Sequence, residues 1–365
     1  MSHLKYWLAL QSLPDIGPIR ARKLLSVFEN PENIFQMSTH ELKTAGEINE
    51  SRARNITSFT QWDRIQEELE RIERDDIELI TFHDSEYPDS LKHLSDAPLI
   101  LYVKGEIIDD DRYAVAVIGS RTHTDYGGRM AERISAQIAS YGLTVVSGMA
   151  RGIDTASHKG ALKGKGRTIA VLGSGIDIPY PPENKRLMGE IQSSGAVISE
   201  FPLGTPPLRE NFPRRNRIIS ALSMGVVVVE ATVDSGSLIT VRYALEQGKE
   251  IFSVPGNVTS RNSQGTNRLI KEGAKLIESA EEIIEELKPQ ILGILGERNI
   301  SQEKILPEMT DDEKLLLDIL NDEPKHIDTI VRNTQMSSSK ALSILLSLEL
   351  KGVVRQVEGK RFAIA

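Results

Sequence analysis

The alternation of short β-branched runs with segments of helical periodicity constrains the fold of this chain most strongly. It extends over residues 106–287. Strands that alternate with helices predict a parallel, doubly wound sheet with helices on both faces and right-handed crossovers. We therefore predict a Rossmann-like α/β domain, mostly parallel, over 106–287. Its predicted strands are 114–118, 144–147, 168–172, 196–199, 226–229 and 250–254.

Two smaller blocks flank this domain. Residues 1–105 carry apolar side chains at helical spacing, and LPDIGPIRARKLL resembles half of a helix-hairpin-helix. We predict a SAM-like or helix-hairpin-helix-like module with a short extension holding strands at 77–82 and 99–103, although a plain helical bundle fits the pattern equally well. Residues 288–309 have the composition of a linker. Three helices and a hairpin over 310–365 predict a winged-helix module.

Composition excludes several classes of protein. The chain has no cysteine, so disulfides, thiolate zinc sites and a cysteine nucleophile are excluded. Its formal net charge of −8 argues against coating nucleic acid by bulk charge but allows a local basic site. We find no signal peptide and no apolar run long enough to cross a membrane. These features predict a cytoplasmic protein without a membrane partner.

Glycine and serine follow several of the predicted strands. The turns include Gly119-Ser120-Arg121, Ser147-Gly148 and Gly173-Ser174, with further glycines after the fifth and sixth strands. Because the carboxyl ends of parallel strands meet at one edge of the sheet, these turns should lie together. Glycine lets the backbone approach a ligand, and the following helix N-termini direct N–H groups at anions. We predict a phosphate-binding edge.

A basic segment at residues 208–217 supplies further ligands for phosphate. Its arginine forks match phosphate oxygens, and Phe212 offers a face on which any base could stack. In the alternative interpretation, Phe212 packs against a helix and the arginines lie on a solvated face. Clustered arginines beside an aromatic residue, in an acidic protein, favour binding.

Cofactor and metal motifs are not found. The turn that starts at Gly119 does not match G-x-G-x-x-G, no phosphate-binding loop of the G-x-x-x-x-G-K-[ST] type is present, and no carboxylates have metal-ligand spacing. Asp154 and His158 lie four residues apart on one predicted helix face, as an acid–base pair or, more often, as a structural pair. We therefore predict no cofactor, no metal and no catalytic residue.

Long motifs in this region resemble the DNA-processing protein A family, known as DprA or Smf. They cover the whole predicted central domain, and YPDSLKHLSDAPLILYVKG just before it belongs to the same pattern. The motifs are SGMARGIDTASHKGAL, GSGIDIPYPPEN, ISEFPLGTPP, NFPRRNRIIS, VVVEATVDSGSLITVRYALEQGK and VPGNVTSRNSQGTNRLIKEGA.

This resemblance implies a recombination mediator rather than an enzyme. Members of the family bind single-stranded DNA, form homodimers and help to load the RecA recombinase onto that DNA during natural transformation and homologous recombination. Carried over position by position, the implied DNA-binding residues are Ser120, Arg121, Gly148, Gly173, Ser174, Arg209, Phe212, Arg215, Asn216 and Arg217.

Two other functions remain open from the residues alone. A nucleotide-binding or nucleotide-hydrolysing enzyme, such as a phosphoribohydrolase, could use the same strand-end glycines, although residues 234–240 lack the PGGxGT pattern of those enzymes. A transcription regulator could use the winged helix on duplex DNA, although the predicted recognition helix carries only Lys340 as a base in its first turn.

Overall fold

Nine strands form one sheet in a computed structural model that describes residues 3–301, 310–320, 324–350, 353–357 and 359–364. Seven neighbouring strands are parallel, which confirms the predicted doubly wound α/β class. In chain order the strands are β1 (Glu78–Thr81), β2 (Ile100–Gly105), β3 (Ala114–Ile118), β4 (Thr144–Ser147), β5 (Thr168–Val171), β6 (Ala196–Ser199), β7 (Gly225–Val228), β8 (Glu250–Ser253) and β9 (Lys275–Leu276).

The strand order reverses once in the parallel part of the sheet. The spatial order is β1-β2-β6-β5-β4-β3-β7-β8-β9. From β3 the chain builds outwards through β4, β5 and β6, and it then returns to place β7, β8 and β9 on the other side of β3. The loops that follow β3 and β7 therefore diverge and leave a crevice between them.

Helices cover both faces of the sheet. Six lie before the sheet in the sequence, seven are interleaved with its strands and one follows it: α1 (Leu4–Ser12), α2 (Pro18–Phe28), α3 (Pro31–Gln36), α4 (Thr39–Thr44), α5 (Glu50–Thr57), α6 (Trp62–Arg74), α7 (Asp89–Lys92), α8 (Asp125–Ser140), α9 (Ile153–Lys163), α10 (Lys185–Gln192), α11 (Asn211–Ala221), α12 (Ser237–Glu246), α13 (Gln264–Lys271) and α14 (Ala280–Ser301). Across the described ranges, no helix is both long enough and apolar enough to span a bilayer.

Three apolar clusters hold these layers together. On one face, α7, α11 and α12 pack on alternate side chains of the strands. On the other face, α8, α9 and α14 cover β3, β4, β7 and β8, and the N-terminal helices with α10 cover the rest. Burial on both faces explains why the strands consist of continuous β-branched runs.

The N-terminal helices share a core with the sheet. Trp7 and Leu8 of α1 belong to the same buried cluster as Ile100, Tyr102 and Val197 of the strands. The boundary that we predicted at residue 105 is therefore misplaced with respect to the sheet. The extension forms β1 and β2, which join the sheet through the antiparallel pairing of β2 with β6. Both strands were predicted, but strand pairing is not encoded by local periodicity.

The C-terminal module has the predicted winged-helix architecture. Its elements are α15 (Asp311–Ile319), β10 (Lys325–His326), α16 (Ile327–Thr334), α17 (Ser338–Leu350), β11 (Val354–Val357) and β12 (Arg361–Ile364). The last three strands form a separate small sheet. The predicted linker, 288–309, is helical as far as Ser301 because α14 continues through it, and residues 302–309 lie outside the described part of the chain.

One face of α17 packs against the central domain. Leu342 and Leu346 contact the apolar cluster that includes α8 and α14. The Lys288 ammonium lies 3.0 Å from Glu349 Oε1 and donates to Gln356 Oε1 at 2.9 Å. The helix in the recognition position of the winged helix is thus partly covered by its own chain.

His158 is a structural residue in α9. It is completely buried, and its Nδ1 lies 2.7 Å from Thr168 Oγ1, which itself donates to the Val145 carbonyl. Nδ1 is therefore the donor in this contact and carries the proton. Asp154 instead accepts from the Ala150 N–H at 3.3 Å. The two side chains thus contact different groups, and neither the acid–base pair nor the structural pair predicted between them is observed.

Acidification should destabilise the fold through His158. Burial, assisted by the nearby charge of Arg215, lowers the pKa of this imidazole to about 3. Between that value and the ordinary pKa of about 6.5, the unfolded chain binds the proton and the folded chain does not, so stability falls as pH falls. From pH 7 to pH 5 the wild type should lose about 2 kcal/mol more than His158→Gln in urea unfolding followed by circular dichroism.

The exposed His93 provides the matched control. His93→Gln should retain the pH dependence of the wild type. Parallel stability curves for the wild type and His158→Gln would contradict the assignment of a neutral, buried imidazole.

Candidate nucleic-acid interface

A cleft of about 900 Å³ lies at the point where the strand order reverses, beyond the carboxyl ends of β3, β4 and β7. We call it the main cleft. Open α/β sheets bind their ligands at this position. Six of the residues singled out from the sequence line it: Ser120, Arg121, Arg209, Phe212, Arg215 and Asn216.

The loop after β3 forms one wall and is fixed by hydrogen bonds. The Ser120 N–H donates to the Glu230 carbonyl at 2.7 Å, and Ser120 Oγ donates to the Thr122 carbonyl at 2.9 Å. Because its hydroxyl is used within the loop, Ser120 shapes the wall. Arg121, the next residue, is exposed at the rim.

Glu230 connects this wall to the end of β7. Its buried carboxylate accepts from the Thr124 N–H at 2.9 Å and from Thr124 Oγ1 at 2.6 Å. Thr124 in turn caps α8, because its hydroxyl oxygen accepts from the Gly127 N–H. Glu230 therefore holds the loop after β3 against the end of β7.

The basic segment is largely a helix. Helix α11 begins at Asn211, and Pro213 falls in its first turn, where proline costs little. Arg209 precedes the helix and is exposed. Phe212 is half-buried, and the Arg121 guanidinium carbon lies 5.1 Å from the centre of its ring, a cation–π contact.

Arg215 lies beneath the cleft instead of projecting from it. Only 3% of its surface is exposed. Its Nη1 donates to the Gly148 carbonyl at 2.5 Å and to the Val171 carbonyl, joining the ends of β4 and β5. Burial lowers the pKa of Arg215 to about 10, so the guanidinium is still charged at neutral pH. It contributes positive potential to the cleft floor but has little surface for direct contact.

Gly148 and Gly173 make room for these side chains. A β-carbon on Gly148 would lie 2.7 Å from the Arg215 guanidinium, and one on Gly173 would lie 2.8 Å from the Phe212 ring. The two glycines were expected to let backbone approach a phosphate. In the structure they let Arg215 and Phe212 approach the strand ends.

Two further expected residues lie away from the main cleft. Ser174 is 1% exposed and donates to the Ile178 carbonyl, within its own loop. Arg217 is 4% exposed and pairs with Asp96 at 3.0 Å and with Glu200 at 2.5 Å. It lines a different cleft, at the amino ends of the strands. Both were assigned to the site through the resemblance described above, and a matching position in a motif does not reveal the direction of its side chain.

Sequence reasoning missed several residues of the main cleft. They lie in connecting segments between the regular elements of the sheet, where an isolated residue has no periodic signal. The missed residues with polar or aromatic side chains include Tyr180, Arg261 and Asn262.

The charge of the cleft is opposite to that of the whole chain. Arg121, Arg209, Arg215 and Arg261 line it, against the carboxylates of Asp154 and Asp234. Burial raises the pKa of Asp154, while the nearby Arg215 opposes this shift. A positive cleft with an aromatic wall suits a polyanion that carries flat bases. In the described ranges, no group of three or more potential metal ligands occurs.

Comparison with known families gives three matched segments. Residues 78–288 match the family described as DNA recombination-mediator protein A. Residues 301–360 match a DprA winged helix domain, and residues 8–70 match a SAM-like helix-hairpin-helix tandem.

Individual relatives agree with this assignment. Protein Smf of Escherichia coli K12 is 42% identical over 282 residues, which are 76% of this chain and 75% of that protein. The X-ray structure of DprA from Streptococcus pneumoniae superposes with a TM-score of 0.66 at 34% identity, covering 78% of this chain and 98% of that one. DNA processing protein A from Helicobacter pylori, solved to describe its single-stranded DNA binding mode, gives a TM-score of 0.52 at 29% identity over 58% of this chain and 97% of that one. The chain belongs to the DNA recombination-mediator protein A family, that of DprA and Smf.

Proposed function

We propose that this protein binds single-stranded DNA without sequence preference in the main cleft and helps to load RecA onto it. The observation that carries the proposal is the pairing of Arg121 with Phe212 at the mouth of a positive cleft. The arginine supplies a fork for phosphate, and the ring supplies a face for any base. The H. pylori relative was solved for its single-stranded DNA binding, which supports the same ligand here.

The proposed action is binding rather than catalysis. The acid–base candidates are separated, since His158 faces Thr168 within the core and Asp154 accepts from backbone. The remaining polar groups of the cleft are mostly arginines and hydroxyls, which bind phosphate. We accordingly place the protein among DNA-binding mediators, acting in the cytoplasm as a homodimer in natural transformation or general recombination.

The packing of α17 supports a protein-contact role for the winged helix. A helix that reads bases must enter the major groove with an exposed polar face. Here Leu342 and Leu346 of α17 contact the central domain, and Lys340 of its first turn pairs with Asp312 at 2.7 Å. Duplex reading by this helix would require the module to leave its position.

Arg121→Ala should weaken single-strand binding and leave the fold intact, because the side chain is exposed. Loss of one charge-assisted phosphate contact should cost about 1.5–3 kcal/mol and reduce the salt slope by about 1. Fluorescence anisotropy with labelled oligo-dT and a matched duplex, at low and moderate salt, measures both effects.

Arg186→Gln is the control, since Arg186 is exposed on α10 away from the cleft. It should bind as the wild type does. Absence of single-strand binding by the wild type at low salt, or equal binding of duplex, would overturn the proposed ligand. Arg215→Ala is unsuited to this test because it removes a buried anchor of two strand ends.

Phe212→Ala should lower affinity for oligo-dT by roughly 1–3 kcal/mol if a base stacks on the ring. Phe212→Tyr retains the aromatic face and should recover most of this loss, whereas Phe212→Leu retains apolar volume only. The same anisotropy titration distinguishes them. Equal affinities for the alanine, leucine and wild-type proteins would exclude base stacking at this position.

Loading of the recombinase can be tested on DNA covered with single-strand-binding protein. We expect the wild type to shorten the lag before RecA hydrolyses ATP on such DNA. Arg121→Ala should shorten it less, in proportion to its weaker binding. If the wild type binds single-stranded DNA but does not shorten the lag, the proposed ligand stands and the proposed role in loading RecA is rejected.

A further inference from the structure

Two aromatic rings, not one, stand at the mouth of the main cleft. The ring centre of Tyr180 lies 5.7 Å from that of Phe212, and the two planes are inclined by 41°. Both residues also line a small recess beside the main cleft, together with Arg151 and Pro181. Tyr180 is half-buried, so it retains surface on which a planar ligand can rest.

An arginine accompanies each ring. Arg121 lies over Phe212, as described above, and Arg151 lines the recess beside Tyr180. Arg151 Nη2 lies 3.1 Å from Glu183 Oε2, and the side chains of the pair are 57% and 52% exposed. Exposed ion pairs of this kind are worth little. Arg151 can therefore exchange Glu183 for a phosphate at small cost.

We propose that Tyr180 and Arg151 extend the DNA site by one nucleotide. The base next to the one on Phe212 stacks on Tyr180, and Arg151 binds the adjoining phosphate. This inference rests on the proposed single-strand binding. It places the added nucleotide over the exposed surface of Tyr180 at the rim of the recess, because the recess itself, at about 20 Å³, has room for little more than one water molecule.

The spacing of the rings also selects against duplex DNA. Successive nucleotides in a strand of B-form DNA rise by about 3.4 Å. Bases resting on rings whose centres are 5.7 Å apart and mutually inclined cannot keep that stacking. A single strand can stretch and unstack at this step, whereas a duplex would have to open.

The test is a series of oligo-thymidylates that grows by one nucleotide at a time. For the wild type, affinity should rise by one further step once the strand is long enough to reach Tyr180. Tyr180→Ala should lose that step, a change of roughly 5- to 150-fold on the longer strands, and should match the wild type on the shortest ones that bind. A 2-aminopurine placed at the corresponding position should be quenched by the wild type and not by Tyr180→Ala.

Matched variants separate stacking from structure. Tyr180→Phe keeps the ring and should retain the step, and Tyr243→Ala, at the opposite edge of the sheet, should leave binding unchanged. Glu183→Gln frees Arg151 and should tighten binding, while Arg151→Gln should reduce the salt slope by about 1.

The outcomes distinguish this inference from the function on which it rests. If the wild type binds and Tyr180→Ala equals it at every length, the added nucleotide site is rejected and the main site stands. If Tyr180→Phe behaves like Tyr180→Ala, the hydroxyl matters and stacking is rejected. If the wild type binds no oligo-thymidylate, the proposed function itself fails.

Discussion

The buried guanidinium of Arg215 is the interaction on which the rest of the site depends. It joins the carbonyl ends of β4 and β5 beneath the cleft and lies behind the Phe212 ring, 5.9 Å from its centre. Two carbonyls at the end of a parallel sheet would otherwise lack donors, and leaving such groups unpaired is costly. Arg215 thus binds the carbonyl groups at the ends of β4 and β5, lies close to the Phe212 ring and places a positive charge beneath the main cleft.

Much of the central domain could be predicted from the sequence. The β-branched runs located β3 to β8 closely, because a strand buried on both faces is apolar along its whole length. Helix α11 is harder to predict, because its first turns carry Pro213 and two arginines, features that resemble a loop. The pairing of β2 with β6 was not predictable, since antiparallel addition at an edge depends on which surface the preceding helices leave uncovered.

The edge of the sheet that holds the main cleft was predictable, but the directions of its side chains were not. Glycines after the strands and arginines after β6 pointed to the edge where this cleft lies. Arg215 and Arg217 are two residues apart on one helix, so their side chains diverge, one to the cleft floor and the other to Asp96 and Glu200. Arg209 and Arg121 remain at the surface. The number of arginines in the sequence therefore overstates the number of exposed positive charges in the main cleft. Tyr180 was not identified as a residue of the cleft.

The shared core between the N-terminal helices and the sheet fixes the position of these helices relative to the main cleft. Since Trp7 and Leu8 share a buried cluster with Tyr102 and Val197, the first six helices are packed onto the central domain and do not form a separate module on a flexible linker. A chain beginning at β1 would expose that apolar face to water and invite aggregation. A ligand that binds to the N-terminal helices is consequently held at a fixed distance and orientation relative to the main cleft.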